Sequence, residues 1–240
     1  MARSAGSVDI YEKFADEYDA TRFECTCGKL QNETEIRIIN DLVENSNRIL
    51  DAGAGTGRLA IAMVRSSRSV VAVDRSRSMI ARARKKADAS ALGSRVSFVQ
   101  ADVRSLPFKS SAFASVISIR VLSHYQVLDP MIAEFGRVLR PRGEVVLDAS
   151  NPLAGIYRRL VPGVRCPTAV DFFHSVESLR KVMASKGIEL SAIKTYSVLP
   201  PSVLHRAICM HFQERASGFL RKVVQTRHGL LAILQGVKRQ

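Results

Sequence analysis

Cysteine is scarce in this chain of 240 residues, and the four present, Cys25, Cys27, Cys166 and Cys209, are too few and too scattered for a disulfide framework. The thiols are expected to be reduced. Cys25 and Cys27 would supply half of a zinc site, but no second close Cys or His pair accompanies them, so no metal is expected. Long apolar runs are also missing: nothing is long enough to span a bilayer, and Met1 to Val8 lack the apolar centre of a signal peptide. A cytoplasmic protein is the expectation. Acidic residues are in deficit, 22 against 36 Lys and Arg, which leaves a formal net charge of +14. That surplus would attract nucleic acid, an anionic membrane surface or an anionic substrate. The basic residues are nevertheless spread along the chain in small clusters, at Arg82 to Lys86, Arg137 to Arg142, Arg158 to Arg165 and Arg221 to Arg227. Dispersion ranks a nucleic-acid partner below a small molecule without excluding it, and leaves room for weak contact with an anionic membrane.

What the chain does contain is an ordinary globular composition, 46% hydrophobic and 24% charged, in a length suited to one domain. Its organising stretch is Ile49 to Ile61. Ile49 and Leu50 end a short apolar strand, Gly53, Gly55 and Gly57 let the backbone turn tightly beside a ligand, and Arg58 to Val64 carries apolar residues at helical spacing. The free amides at that helix start face whatever fills the turn. A second strand, Ser69 to Asp74, ends in a carboxylate where doubly wound folds hold ribose hydroxyls. A NAD-binding domain offers a similar layout. Against it stand the Gly-x-Gly-x-Gly spacing, in place of Gly-x-Gly-x-x-Gly, and Asp51, an acid directly before the turn where NAD would bring a diphosphate.

Asp51, Gly53, Gly55 and Gly57 resemble the first motif of the class I S-adenosylmethionine-dependent methyltransferases, and the small-molecule branch that includes ubiquinone and menaquinone biosynthesis enzymes in particular. The resemblance implies that the turn holds the methionine part of the cofactor and that Asp74 grips the ribose. It places Met79 against the adenine, Asp102 on the adenine amino group with the backbone of Val103 beside it, and adds Ala52, Arg75 and Arg120 to the cofactor set. Tyr11, Phe14, Ala15 and Tyr18 share one helical face. Packing on the core explains that face as well as function does, but many small-molecule methyltransferases begin with such a helix ending in Tyr-Asp, here Tyr18 and Asp19, folded over the cofactor. His124, in the loop after the fourth strand, matches a histidine frequent in this branch; it is a candidate general base, with a structural imidazole as the alternative. The run Glu134 to Gly143 matches a further signature of the branch, except that Arg142 stands where glycine is usual.

The expected architecture is a single domain over 1–240, α/β, doubly wound and Rossmann-like, with helices on both faces of a seven-stranded, mostly parallel sheet whose last strand is antiparallel. Within it, 1–45 supplies cofactor-covering helices, 46–149 the cofactor-binding core, and 150–174 and 200–228 substrate-cap insertions. Methyl transfer to a small-molecule acceptor is the expected activity. An RNA or protein methyltransferase that uses the basic surface, or a non-catalytic cofactor-binding module, would share the same core motifs.

Overall fold

A computed structural model of the chain describes residues 10–24, 26–64, 68–90, 92, 95–150, 172, 174–196 and 231–239. The expected cap segments 150–174 and 200–228 therefore lie almost entirely outside the described residues. Three helical segments come first: α1 at 10–14, α2 at Tyr18–Phe23 and α3 at Thr26–Leu42. There follow β1 (Arg48–Ala52), α4 (Arg58–Met63), β2 (Ser69–Asp74), α5 (Arg77–Ala89), β3 (Val96–Gln100), β4 (Phe113–Ser118), a 3-10 turn at Leu122–His124, and α6 (Asp129–Val138). The chain then runs through β5 (Leu139–Ser150), α7 (Val176–Ser185), β6 (Ile188–Tyr196) and β7 (Leu231–Lys238).

The strands form one seven-stranded sheet in the order β3-β2-β1-β4-β5-β7-β6. β7 runs antiparallel to both its neighbours, and the pairs from β3 to β5 are all parallel. Every residue of β4 is buried, as are four of the five in β1, because helices cover both faces of these two central strands. Alternation sorts their side chains. Ile49 joins an apolar cluster with Ile39 of α3, Val43 just after it and Met63 of α4, while Leu50 joins the opposite cluster with Phe135 of α6 and Met183 of α7. The strand order reverses between β1 and β4, so their carboxyl ends part and leave a crevice, which is where such sheets bind ligands.

Two local departures from the sequence reading have physical causes. The single helix expected over Tyr11 to Tyr18 is interrupted by a turn at 15–17; the break buries Ala15 and brings the Tyr11 and Tyr18 rings edge to face, 6.1 Å apart. The run Glu134 to Gly143 does not stay in one element: Arg140 to Gly143 belong to β5, whose pairing with β4 slips between Phe113 and Ser115. Arg142 there has φ 61°, the left-handed region that glycine occupies without penalty. Gly143 is needed for a different reason: a Cβ would stand 2.8 Å from the Arg140 carbonyl oxygen and 3.0 Å from that of Ala114.

Candidate active site

The crevice is a cleft enclosing about 1000 Å³ of empty space, its mouth included. Its floor is the turn between β1 and α4. The amides of Gly53 and Ala54 both donate to the Val73 carbonyl, at 2.7 and 2.8 Å, which folds the turn back over β2. Gly53, Gly55 and Gly57 all have positive φ, but they serve different contacts. A Cβ on Gly53 would fall 2.2 Å from Val121 Cγ2, and one on Gly57 would fall 2.9 Å from Ala83 Cβ, so these two let neighbouring elements approach. Gly55 has nothing within 4 Å of that position; its backbone is open to a ligand. Its amide donates to Asp74 Oδ2 at 2.8 Å, and the Ser76 amide donates to Asp74 Oδ1 at 2.9 Å. Burial raises the Asp74 carboxyl against the pull of those two amides. Each carboxylate oxygen keeps a lone pair for a further donor.

Asp51 lines the cleft at 2% exposure, and its Oδ2 has no hydrogen-bond partner among the described residues. Burial pushes its carboxyl up to about 7, against the opposing charge of Arg58 and a hydrogen bond from the Ala60 amide. An orphaned acceptor oxygen beside the backbone of the glycine turn is suited to a cation or a donor from a ligand.

Beside it lies a charged cluster that the sequence reading missed except for Arg120. Glu35 of α3, fully buried, binds Arg58 at 2.9 Å through Oε2 and accepts from Arg120 at 2.6 Å through Oε1. The ring of Phe23 lies against both guanidinium groups, 4.9 and 5.1 Å from its centroid. Arg120 itself has φ 64°, and its amide donates to Asp148 Oδ1 at 2.9 Å; burial pushes that carboxyl up to about 6. A carboxylate at Glu35 on the same helical face as Ile39 and Val43 was the available signal, since a buried acid needs a cation.

The N-terminal helices close the cleft from above. Tyr11 and Tyr18 line it, and three acids four and three residues apart tie this segment down. Glu12 accepts from the Arg77 and Ser78 amides at the start of α5, at 2.6 and 3.1 Å, and from Ser78 Oγ at 2.5 Å. Asp16 pairs with Arg82 at 3.5 Å, and Asp19 accepts from Lys86 Nζ and Thr56 Oγ1, both at 2.7 Å. Two residues of the basic cluster on α5 are thus engaged with the covering helices, and Lys86 reaches towards the glycine turn, 3.4 Å from Thr56 Oγ1.

Met79 and Val103, both buried, form the far wall, with Arg75 beside them. Asp102 stands back from it. Its carboxylate is held by Arg104 through contacts of 2.7 to 3.2 Å and lies 3.7 Å from Arg75; burial works to raise its pKa, but the bonds from Arg104 prevail and hold it below the usual range. Ala52 is fully buried in β1, where its carbonyl accepts from Ser118 Oγ at 2.8 Å. His124 lines the cleft, its Nε2 3.0 Å from Tyr11 Oη. Next to it the Phe172 amide donates to the Ser123 carbonyl at 3.0 Å and His174 Nε2 donates to the Tyr125 carbonyl at 2.8 Å, so the end of the expected cap rests on this loop.

A family model described as a methyltransferase domain matches residues 49–143, the whole stretch from β1 into β5. The demethylmenaquinone methyltransferase of Thermus thermophilus is 32% identical over 166 residues, which cover 60% of this chain and 74% of that one. The chain belongs to the class I S-adenosylmethionine-dependent methyltransferases. The biotin biosynthesis bifunctional protein of Saccharophagus degradans is 29% identical over 142 residues, but they make up 59% of this chain and 24% of that protein, so this methyltransferase matches about a quarter of that relative's length. Among solved structures, a possible histamine N-methyltransferase from Thermotoga maritima superposes with a TM-score of 0.71 at 18% identity, covering 97% of this chain and all of that one; it shows the fold. Of the residues expected to serve a methyltransferase of this class, Tyr18, Asp51, Gly53, Gly55, Asp74 and Met79 line one cleft with Arg75, Val103, Arg120 and His124. Ala52, Gly57 and Asp102 are not part of that lining. No group of His, Cys, Asp and Glu suited to a metal occurs among the described residues.

Proposed function

We propose that this cleft binds S-adenosylmethionine across the ends of β1, β2 and β3 and passes its methyl group to a small-molecule acceptor that enters beside His124 and Tyr125. The observation that carries the reading is the pair of strand-end acids with an open glycine between them: Asp51 with an orphaned oxygen, Asp74 in the lining with its carboxylate fixed by the Gly55 and Ser76 amides, and Gly55 with no atom in the way. Asp51 suits the cofactor's ammonium, Asp74 its ribose hydroxyls, and Met79 with Val103 the flat faces of adenine. Asp102 is held by Arg104, so in this chain the adenine amino group shares that carboxylate with an arginine. When bound, S-adenosylmethionine supplies an electrophilic methyl carbon on a good leaving group. The protein's own work is to align the acceptor in line with that carbon and to exclude water, through the lid of Tyr11 and Tyr18 and the contacts of Phe172 and His174 with the acceptor loop.

The small-molecule reading gains support from relatives such as the Thermus demethylmenaquinone methyltransferase. It also gains support from α5, where Arg82 and Lys86 pair with Asp16 and Asp19 and so are not displayed for a phosphate backbone. The test is to incubate the protein with methyl-labelled cofactor and a fractionated cell extract. Label is expected in the small-molecule fraction; salt-resistant, stoichiometric labelling of RNA or protein would overturn the reading in favour of a macromolecular substrate.

A further inference from the structure

The covering helix brings a reactive group as well as a roof. Tyr11 Oη lies 3.0 Å from His124 Nε2, and the two rings meet edge to face at 5.4 Å and 80°. Both side chains line the cleft, while the second ring nitrogen of His124, Nδ1, is buried. An imidazole with one nitrogen buried and the other bonded to a phenol presents neither nitrogen to an acceptor. What an acceptor meets at this pair is the tyrosine hydroxyl. Tyr11 is fixed by its chain neighbours: the adjacent Glu12 caps the start of α5 through two amides and a hydroxyl, and Ala15, in the turn that follows α1, packs into the core at 5% exposure. Burial acts to raise the Glu12 carboxyl, but its bonds with Ser78, Ser76 and Arg77 outweigh that and favour the charged form that makes the anchor.

We propose that Tyr11 is a catalytic residue of the methyl transfer, taking the acceptor's proton on Oη while handing its own proton to His124 Nε2. The proposal rests on the reading of the cleft given above. The acceptor's X–H bond breaks and its proton passes to Tyr11 Oη as the tyrosine O–H proton passes to Nε2. The lone pair freed on X forms the bond to the methyl carbon, the carbon–sulfur bond breaks with its electron pair going to sulfur, and a neutral thioether leaves. The imidazolium then releases its proton to solvent. A relay of this kind is useful only for an acceptor whose nucleophile carries a proton at rest, so the substrate class is a hydroxyl or an ammonium and excludes a carboxylate or a tertiary amine. It also makes docking of α1 and completion of the base one event, so deprotonation occurs only in the closed site.

The test uses the full chain with isotopically labelled histidine, saturated with S-adenosylhomocysteine, and reads the side-chain nitrogens of His124, identified by comparison with His124→Gln. Tyr11→Phe keeps the ring and removes the hydroxyl; it is expected to shift the Nε2 resonance of His124 while changing affinity for S-adenosylhomocysteine by less than about threefold. With labelled cofactor and the acceptor-containing extract fraction, Tyr11→Phe and His124→Gln are each expected to lose about 100-fold in transfer, and the double variant no more than either alone. Unchanged His124 resonances in Tyr11→Phe, or transfer at the parent rate, would overturn the proposal. Loss of transfer in His124→Gln alone would overturn it in favour of a histidine that acts directly. If no fraction accepts label, the histidine spectra decide. Failure of the parent protein to bind S-adenosylhomocysteine would instead overturn the function proposed for the cleft.

Discussion

Cofactor affinity should depend on pH through Asp51. Burial pushes its carboxyl up to about 7, and its Oδ2 has no hydrogen-bond partner among the described residues. A ligand that brings an ammonium to that oxygen binds the ionised form, so the apparent dissociation constant scales as one plus the ratio of protonated to ionised Asp51. With a midpoint near 7 that factor is about 1.1 at pH 8, about 2 at pH 7 and about 11 at pH 6. The tenfold loss between pH 8 and pH 6 corresponds to roughly 1.4 kcal/mol. At pH 7 binding should release about half a proton, seen by calorimetry as a heat that depends on the ionisation enthalpy of the buffer. The sign for stability is the reverse of the usual carboxylate case. A raised pKa means that the native state holds the proton more tightly than the unfolded chain. Asp51 therefore contributes stability in acid that is lost as pH rises towards 7, on the order of 4 kcal/mol if it acted alone. The thermal stabilisation given by S-adenosylhomocysteine should accordingly be larger at pH 8 than at pH 6. Asp51→Asn should bind more weakly and show a flat profile. Parent affinity that does not change between pH 6 and pH 8, or a pH dependence that persists in Asp51→Asn, would refute the reasoning.

Three further outcomes are expected. Glu35→Ala leaves Arg58 and Arg120 without their shared buried counter-ion and should cost about 3–5 kcal/mol in denaturant unfolding, well beyond a surface substitution. Arg142→Gly should raise stability by up to about 1 kcal/mol, because relief of the left-handed backbone at φ 61° exceeds the added chain entropy; a loss of stability would show that the side chain has a contact that compensates. Amide exchange of residues 10–24 should slow when S-adenosylhomocysteine binds, if Tyr18 packs on the ligand, and should stay unchanged if the helices only cover the core.

The central architecture was readable from the chain because parallel strands buried on both faces write themselves as short apolar runs. Ile49 to Asp51, Ser69 to Asp74 and Phe113 to Ser118 all do so, and the three glycines between β1 and α4 have the positive φ that no other residue takes cheaply. Ser76 and Ser175 cap α5 and α7, accepting from the Met79 and Ser178 amides. The rest of the site depends on contacts that no local pattern encodes. Arg120 meets Glu35 across 85 residues and Tyr11 meets His124 across 113. The break at 15–17 leaves Tyr11 and Tyr18 on the same side, so helical periodicity reads alike with or without it. Asp102 sits at the expected strand end, yet Arg104, two residues on, holds its carboxylate, a competition that spacing alone does not reveal.

The most direct test of the account is a crystal structure of the protein with S-adenosylhomocysteine. It should show the ligand's amino group within hydrogen-bond distance of Asp51 Oδ2, its ribose hydroxyls on Asp74, and its adenine between Met79 and Val103. A ligand bound outside the crevice between β1 and β4, or one that leaves both Asp51 and Asp74 without contact, would contradict the account.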